Sequence, residues 1–250
     1  MLTKKTVAIL QPQFFPWRGV FEQIRLADEF VHFDDVQFPQ GRSFVSRVQI
    51  KSPTGIKWLT VPVKRSGLVS IDSVPLDDSQ PWRTKHLRTL AAAYAKAPYV
   101  RTMLELVDEV YAPGHPSVAD LNISAIEKVS AYLGLTRTFT RSSATPCDAR
   151  SSAHLVALCK ARNAERYVSG HGALKYLDES LFAQHGIEVA IMDYRCTPYP
   201  QVHGEFDPYV SILDLIANVG PAAPAYLDSA AVRWADVVEN RAPSGLQSVG

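Results

Sequence analysis

The sequence predicts an α/β fold, a largely parallel sheet with flanking helices, plus a helical middle section forming a cap or second lobe. Three observations carry this. Short β-rich runs alternate with helix-period segments up to residue 34 and again after residue 136. The stretch from about 81 to 134 carries helical patterns alone. No internal repeat, low-complexity linker or sharp compositional break divides the chain. The reading is therefore a single α/β domain over residues 1–240, with a helical insertion at about 81–134 and a frayed Ser/Gly/Pro-rich tail over 241–250.

The elements follow in order. Residues 5–10 (KTVAIL) read as a short buried strand. Residues 19–27 suit a short helix with Phe21, Ile24 and Ala27 on one face, and 29–34 (EFVHFD) a second strand. Residues 44–50 and 56–63 are β-rich and flank Ser52-Pro53-Thr54-Gly55, which is hairpin chemistry. Pro81 suits the first turn of a helix that Pro98 ends. A further helix spans 99–112, with Met103, Leu106, Val107 and Val110 on one side. Ser117 and Asp120 form a capping-box pattern opening a helix to Leu133, and Gly134 is its stop. Then come strand 136–141, helix 152–163, strand 166–169, a short helix near 178–185, strand 187–193 and a helix near 211–218. Asp214, three residues after Ser211, reads as a capping residue.

Composition narrows the function classes. With 26 Lys plus Arg against 25 Asp plus Glu, the net charge is +1, so there is no electrostatic footprint for nucleic acid or an anionic membrane. No apolar run approaches the roughly 20 residues needed for membrane insertion as a helix. The N-terminus carries no signal-peptide pattern, so the expected location is cytoplasmic. The three cysteines have no metal spacing, and neither a metal nor a cofactor is expected.

Parallel sheets place ligands at the carboxyl ends of their strands, which selects four loops. The first, Gln11 to Gly19, holds Gln11, Gln13, Trp17 and Arg18 between stiffening prolines, offering amide donors and a stacking ring. The second is Asp34-Asp35-Val36-Gln37-Phe38. Adjacent residues of an extended chain face opposite ways, so Asp35 is read into the site, with Gln37, and Asp34 as a turn residue. The third is Ser169-Gly170-His171-Gly172, where glycines permit close backbone approach to an anion beside a general base. The fourth, Tyr199 to Phe206, presents Gln201 and a second candidate base, His203. Arg42 and Arg47 flank the strand after the second loop and, with Lys85 on the first turns of the long helix, are the candidate anion-binding cations. Lys85 and His86 diverge by about 100° and do not face one ligand together. Cys159 falls in an apolar helix and reads as core. Cys147 and Cys196 lie in or near loops with no sequence-adjacent base, so neither is expected to be a nucleophile, Cys196 being the better placed.

Six segments together resemble the WbqC family: QPQFFPWRGVFEQI, DEFVHFDDVQF, WLTVPV, WRTKHLRTLAAAYAKAPY, RYVSGHGALKYLD and YPQVHGEFDPYVSILDLIANVG, in order from about residue 7 to 220. The resemblance implies a bacterial protein of surface-polysaccharide (O-antigen) gene clusters. It also implies a transferase-like modification of activated sugars, with acyl or aminoacyl transfer to a sugar amine as the activity. The implied partners are a sugar nucleotide and an acyl-CoA or an acyl or aminoacyl carrier protein. On the loop argument, catalysis is expected from His171 or His203 with Asp35. Substrate binding is expected from Gln11, Gln13, Trp17, Gln37, Arg42, Arg47, Lys85, Ser169, Gly170 and Gln201. Two alternatives remain at this level: a nucleotidyl- or adenylyl-handling enzyme, with Asp35 on magnesium, and a non-catalytic sugar-nucleotide or carrier-protein binding module.

Overall fold

The computed structural model describes residues 4–65 and 67–239. The chain opens with β1 (Thr6–Leu10), α1 (Arg18–Leu26) and β2 (Glu29–His32). Next come the hairpin of β3 (Arg47–Ser52) and β4 (Gly55–Thr60) and the helices α2 (Trp82–Ala93), α3 (Val100–Tyr111) and α4 (Val118–Tyr132). Alternation resumes with β5 (Thr138–Arg141), α5 (Ser151–Ala161), β6 (Arg166–Ser169), α6 (Glu179–Gln184) and β7 (Glu188–Asp193). The last described elements are α7 (Ile212–Val219), β8 (Ala230–Arg233) and α8 (Trp234–Glu239). The expected tail from 241 onward lies outside the described residues.

Six strands form one sheet in the order β5-β2-β1-β6-β7-β8. All neighbours run parallel except β7 and β8, which pair antiparallel through Ile191 and Val232. The α/β reading is thus the observed fold. The strand order grows one way from β1 through β2 to β5, then restarts on the other side of β1 with β6. The reversal between β1 and β6 is a topological switch point, where crossover loops diverge and leave a crevice.

Alternation along β1 sorts the two faces. Ala8 faces a core shared with α1, the hairpin and the helices α2, α3, α4 and α7. Val7 and Ile9 face a second core with Leu155, Val156 and Leu158 of α5, Phe182 of α6 and Val189 of β7. The helical middle is therefore continuous with the core of one sheet face. His86 of α2 lies between the Tyr111 hydroxyl, 3.0 Å from Nδ1, and the Thr60 carbonyl, 3.1 Å from Nε2. Burial holds this imidazole down at about 4, so it is neutral.

The Ser117 cap is as expected: its hydroxyl accepts the Asp120 N–H at 3.1 Å, and Gly134 ends α4 with φ of +71°. Asp214 departs from its expected role. The Ser211 hydroxyl accepts from Leu213, whereas Asp214 is buried and accepts the Tyr199 hydroxyl at 2.9 Å. Burial raises its carboxyl to about 6. Ser-x-x-Asp spacing is compatible with a cap, but the neighbouring tyrosine claims the carboxylate first.

Candidate functional site

A cleft of about 930 Å³ opens at the carboxyl edge of the sheet. Its floor is Ile9 and Leu10 of β1 with Tyr167 of β6, so it sits at the switch point. One wall is Asp35, Val36 and Gln37 after β2; Gln11 and Gln13 follow β1; Tyr176 closes the β6 side. The opposite wall is Cys147 to Ser151, leading into α5, with His154 in its first turn.

The short 3-10 turn Ser142–Ala144 after β5 fixes the two aspartates. Asp34 is fully buried and accepts the Ser143 N–H at 3.1 Å and the Ser143 hydroxyl at 3.0 Å. The Ser142 hydroxyl lies 2.5 Å from Asp35 Oδ1 and 3.1 Å from Asp34 Oδ1. Its one proton goes to the shorter contact. β2 ends at His32, so strict alternation no longer applies, and both carboxylates reach Ser142. Asp34 is used up as a turn acceptor, and Asp35 keeps Oδ2 for the cleft.

Asp35 Oδ2 is 3.6 Å from His154 Nε2. His154 is 7% exposed, its ring edge packs on Phe33, and Nε2 has no hydrogen-bond partner. A buried imidazole beside a carboxylate, at the wall of a cleft, is the arrangement of an oriented base.

The amino end of α5 faces the same space. Its N-cap, Arg150, makes no side-chain cap hydrogen bond. The first intrahelical bond is that of the His154 N–H to the Arg150 carbonyl, at 3.4 Å, so the N–H groups before it remain open. Ser151 starts the helix with φ of +51°, a region costly for a side chain with Cβ. The exposed Arg150 guanidinium adds full charge to the partial positive charge of the helix end, which favours an anion there. Asp35 and Asp148 are the carboxylates of the cleft.

A smaller depression of about 400 Å³ lies between Trp17, Gly170, His171, Gly172, Tyr194, Cys196 and Tyr209. Trp17 packs on Tyr194 at 4.8 Å and Tyr209 at 5.4 Å between ring centres, and His171 meets the edge of Tyr194. The indole lies flat on Gly19, where an added Cβ would come within 2.2 Å of it.

The expected site residues thus divide. Gln11, Gln13, Asp35 and Gln37 line the main cleft, and Trp17, Gly170 and His171 line the smaller depression. Ser169 is buried, its hydroxyl accepting from Tyr167 at 3.2 Å. His203 lies elsewhere: its Nε2 is 2.6 Å from the Ala93 carbonyl at the end of α2, and it lines neither cleft. Gln201 is held in a half-buried network with Lys51, Tyr199 and Asp207. Arg47 stacks its guanidinium 4.0 Å from the Trp58 ring, Lys85 lies on an outer groove of α2, and Arg42 is exposed outside both clefts. The fourth loop follows a strand in sequence, yet it crosses to the hairpin through the Lys51–Gln201 bond and leaves the sheet edge.

Sequence reading missed Arg150 and His154. The apolar pattern of 152–163 places it in the core, which it is, with Cys159 buried and its thiol pushed up to about 12. The usable signal was Asp148-Ala149-Arg150-Ser151-Ser152, a polar run at a helix start directly before His154. Among the described residues no three His, Cys, Asp or Glu side chains are grouped to hold a metal ion, and no helix is long and apolar enough to cross a membrane.

Residues 11–226 match the model of the WbqC-like protein family, and that span contains every residue of the cleft wall from Gln11 to Tyr176. The chain belongs to the WbqC-like family. An uncharacterized protein of Mycobacterium tuberculosis (strain ATCC 25618 / H37Rv), Rv1507c, is 35% identical over 226 residues, covering 89% of this chain and 97% of its own length. No solved structure matches the chain. The match to this WbqC-like chain takes in the switch-point cleft except Ile9 and Leu10 of its floor.

Proposed function

We propose that the chain is an enzyme that binds a nucleotide-linked amino sugar in the main cleft and transfers an acyl or aminoacyl group from a thioester to the sugar amine, as a step of bacterial glycan synthesis in the cytoplasm. One observation carries the reading: the Asp35–His154 pair stands beside the uncapped amino end of α5 at the switch point of the sheet. An anion seat and an oriented base in one cleft are what a phosphate-bearing amine substrate needs.

In this reading the diphosphate sits on the free N–H groups of α5 and beside Arg150. The Tyr176 ring, 65% exposed, offers a face to the nucleobase. Gln11 and Gln13 supply amide donors to sugar hydroxyls. Asp35 on the Nε2 side of His154 leaves Nδ1 to take the proton of the attacking amine. The nitrogen–carbon bond forms, the carbon–sulfur bond of the donor breaks, and the proton passes to the departing thiol. The base thus falls on His154, where sequence alone points to His171 or His203.

The test is a transfer assay with UDP- and dTDP-linked amino sugars and acetyl-CoA, comparing wild type with His154→Gln. The expected loss is roughly 10² to 10⁴ in turnover with sugar-nucleotide binding retained. Wild-type turnover in His154→Gln overturns the assignment. Nucleotidyl chemistry makes a different demand, since a diphosphate leaving group needs charge neutralisation, usually by a divalent cation. Activity lost to chelator and restored by magnesium would favour that alternative.

A further inference from the structure

We propose that the groove between α2 and the β3–β4 hairpin docks an acidic helix of a partner protein. The groove encloses about 690 Å³ and shares no residue with the main cleft or the Trp17 depression. The inference therefore goes beyond the transfer reading and does not depend on it.

Charge is spread unevenly along the chain. Residues 40–96 hold ten lysines and arginines against three aspartates and no glutamate, +7 within a chain of net charge +1. The near-neutral total conceals this block, because the remainder stands at −6. Part of the block is neutralised or spent where it stands. Lys64 and Arg83 pair with Asp77 and Asp78, and the Arg47 guanidinium lies on Trp58. Lys51 is buried against Gln201 and the Glu205 carbonyl. Lys57, Lys85 and Arg88 are exposed, make no ion pair among the described residues, and line one groove that holds no carboxylate. Three like charges around one groove repel each other, and an anionic partner turns that repulsion into attraction.

The lining matches a helix. Pro81, Thr84, Lys85, Arg88, Thr89 and Ala92 recur at three- and four-residue spacing, which is one face of α2. At 1.5 Å per residue that face runs for about 16 Å, or three turns of an opposing helix. Lys85 and Arg88 stand one turn apart on it, and Lys57 of β4 stands on the hairpin wall. Small side chains at Thr84, Thr89 and Ala92 let a second helix approach closely between the cations. Carboxylates one turn apart on a partner helix meet this pattern, in the helix-in-groove mode. Nucleic acid is a poorer match, since no aromatic ring lines the groove to stack on a base. Trp58 follows Lys57 in the strand, so it faces the other side of the hairpin.

The test uses the full chain and a fluorescein-labelled synthetic peptide of about 16 residues, long enough to form a helix. Glutamates occupy one face at three- and four-residue spacing, with alanine and leucine beside them. A second peptide of the same composition scatters its glutamates around the helix. By fluorescence anisotropy at low salt, the first peptide is expected to bind roughly tenfold more tightly than the second. Lys85→Glu with Arg88→Glu should remove that preference, and Lys57→Glu should weaken it. Arg42→Glu, an exposed cation of the same block outside the groove, should leave it unchanged. Unchanged urea midpoints show that each variant is folded. Equal affinity for both peptides, or indifference to Lys85→Glu with Arg88→Glu, overturns the proposal. An equal loss in Arg42→Glu means diffuse attraction and overturns it as well. A duplex DNA oligonucleotide, or vesicles of phosphatidylserine and phosphatidylcholine, bound more tightly than the peptide and released by the same groove variants, would give the groove to that ligand and overturn the helix reading. Sedimentation that shows self-association abolished by Lys85→Glu with Arg88→Glu would give it to a second copy of this chain, with the same consequence.

Discussion

Asp35 Oδ2 lies 3.6 Å from Nε2 of His154, bringing the loop after β2 against the first turn of α5. The Ser142 hydroxyl, 2.5 Å from the other carboxylate oxygen, fixes Asp35 from behind. The pair depends on β5, whose following turn carries Ser142 and whose crossover helix carries His154.

Replacing Asp35 by Asn keeps its size and removes its charge. The variant is expected to lose transfer turnover, though less than His154→Gln, because Asp35, 3.6 Å from Nε2 and not hydrogen-bonded to it, acts on the imidazole only through its charge. A larger loss in Asp35→Asn, with His154→Gln near wild type, would make Asp35 itself the base. Paired kcat measurements decide.

His203 and His171 separate by role. His203→Ala removes the 2.6 Å contact with the Ala93 carbonyl and should cost about 1 kcal/mol of stability, read by urea unfolding, with turnover retained. His171→Ala, at an exposed position, should change stability by no more than about 0.5 kcal/mol. Collapse of turnover in His171→Ala alone would move the chemistry to the Trp17 depression.

Arg150 is expected to read phosphate and nothing else of the nucleotide. Calorimetric titration of Arg150→Ala should show about tenfold weaker UDP binding, of the size of one charge-assisted hydrogen bond, and unchanged uridine binding. Equal weakening of both would mean that Arg150 shapes the cleft instead of holding an anion.

Two buried groups give stability opposite pH dependences. Burial depresses His86 to about 4, below its unfolded value near 6.5. Between those values the unfolded chain binds a proton that the folded chain does not, so its contribution is full above about 6.5 and falls toward pH 4. Burial raises Asp214 to about 6 from near 3.9 in the unfolded chain. Its contribution is full below about 3.9 and is lost as the pH rises through about 6. Relative to wild type, His86→Gln should lose less stability between pH 7 and pH 4.5, and Asp214→Asn should lose more. Urea midpoints at both pH values that move in parallel for all three proteins contradict this.

The strands were legible because apolar runs bounded by polar turns leave few alternatives: 166–169 is β6, and 187–193 is β7 apart from its first residue. β8 was not legible, since Ala230–Arg233 carries no alternation and pairs only as an edge. For the site, loops that directly follow β1 and β2 were found, because a strand end fixes where its next residues go. His203 and Gln201 were misplaced because their loop is long enough to be drawn to Lys51. His154 and Arg150 escaped because they stand at the start of a helix whose remaining pattern is plain core. Arg47 was read as an anion-binding cation, and the Trp58 ring took its guanidinium instead.

The most direct measurement is a crystal structure of the full chain with a UDP-linked amino sugar. The diphosphate is expected on the N–H groups of Ser151 and Ser152 beside Arg150, with the sugar amine within about 3.2 Å of His154 Nδ1. A sugar nucleotide seated instead on Trp17, His171 and Tyr209, with the α5 cleft empty, would contradict it.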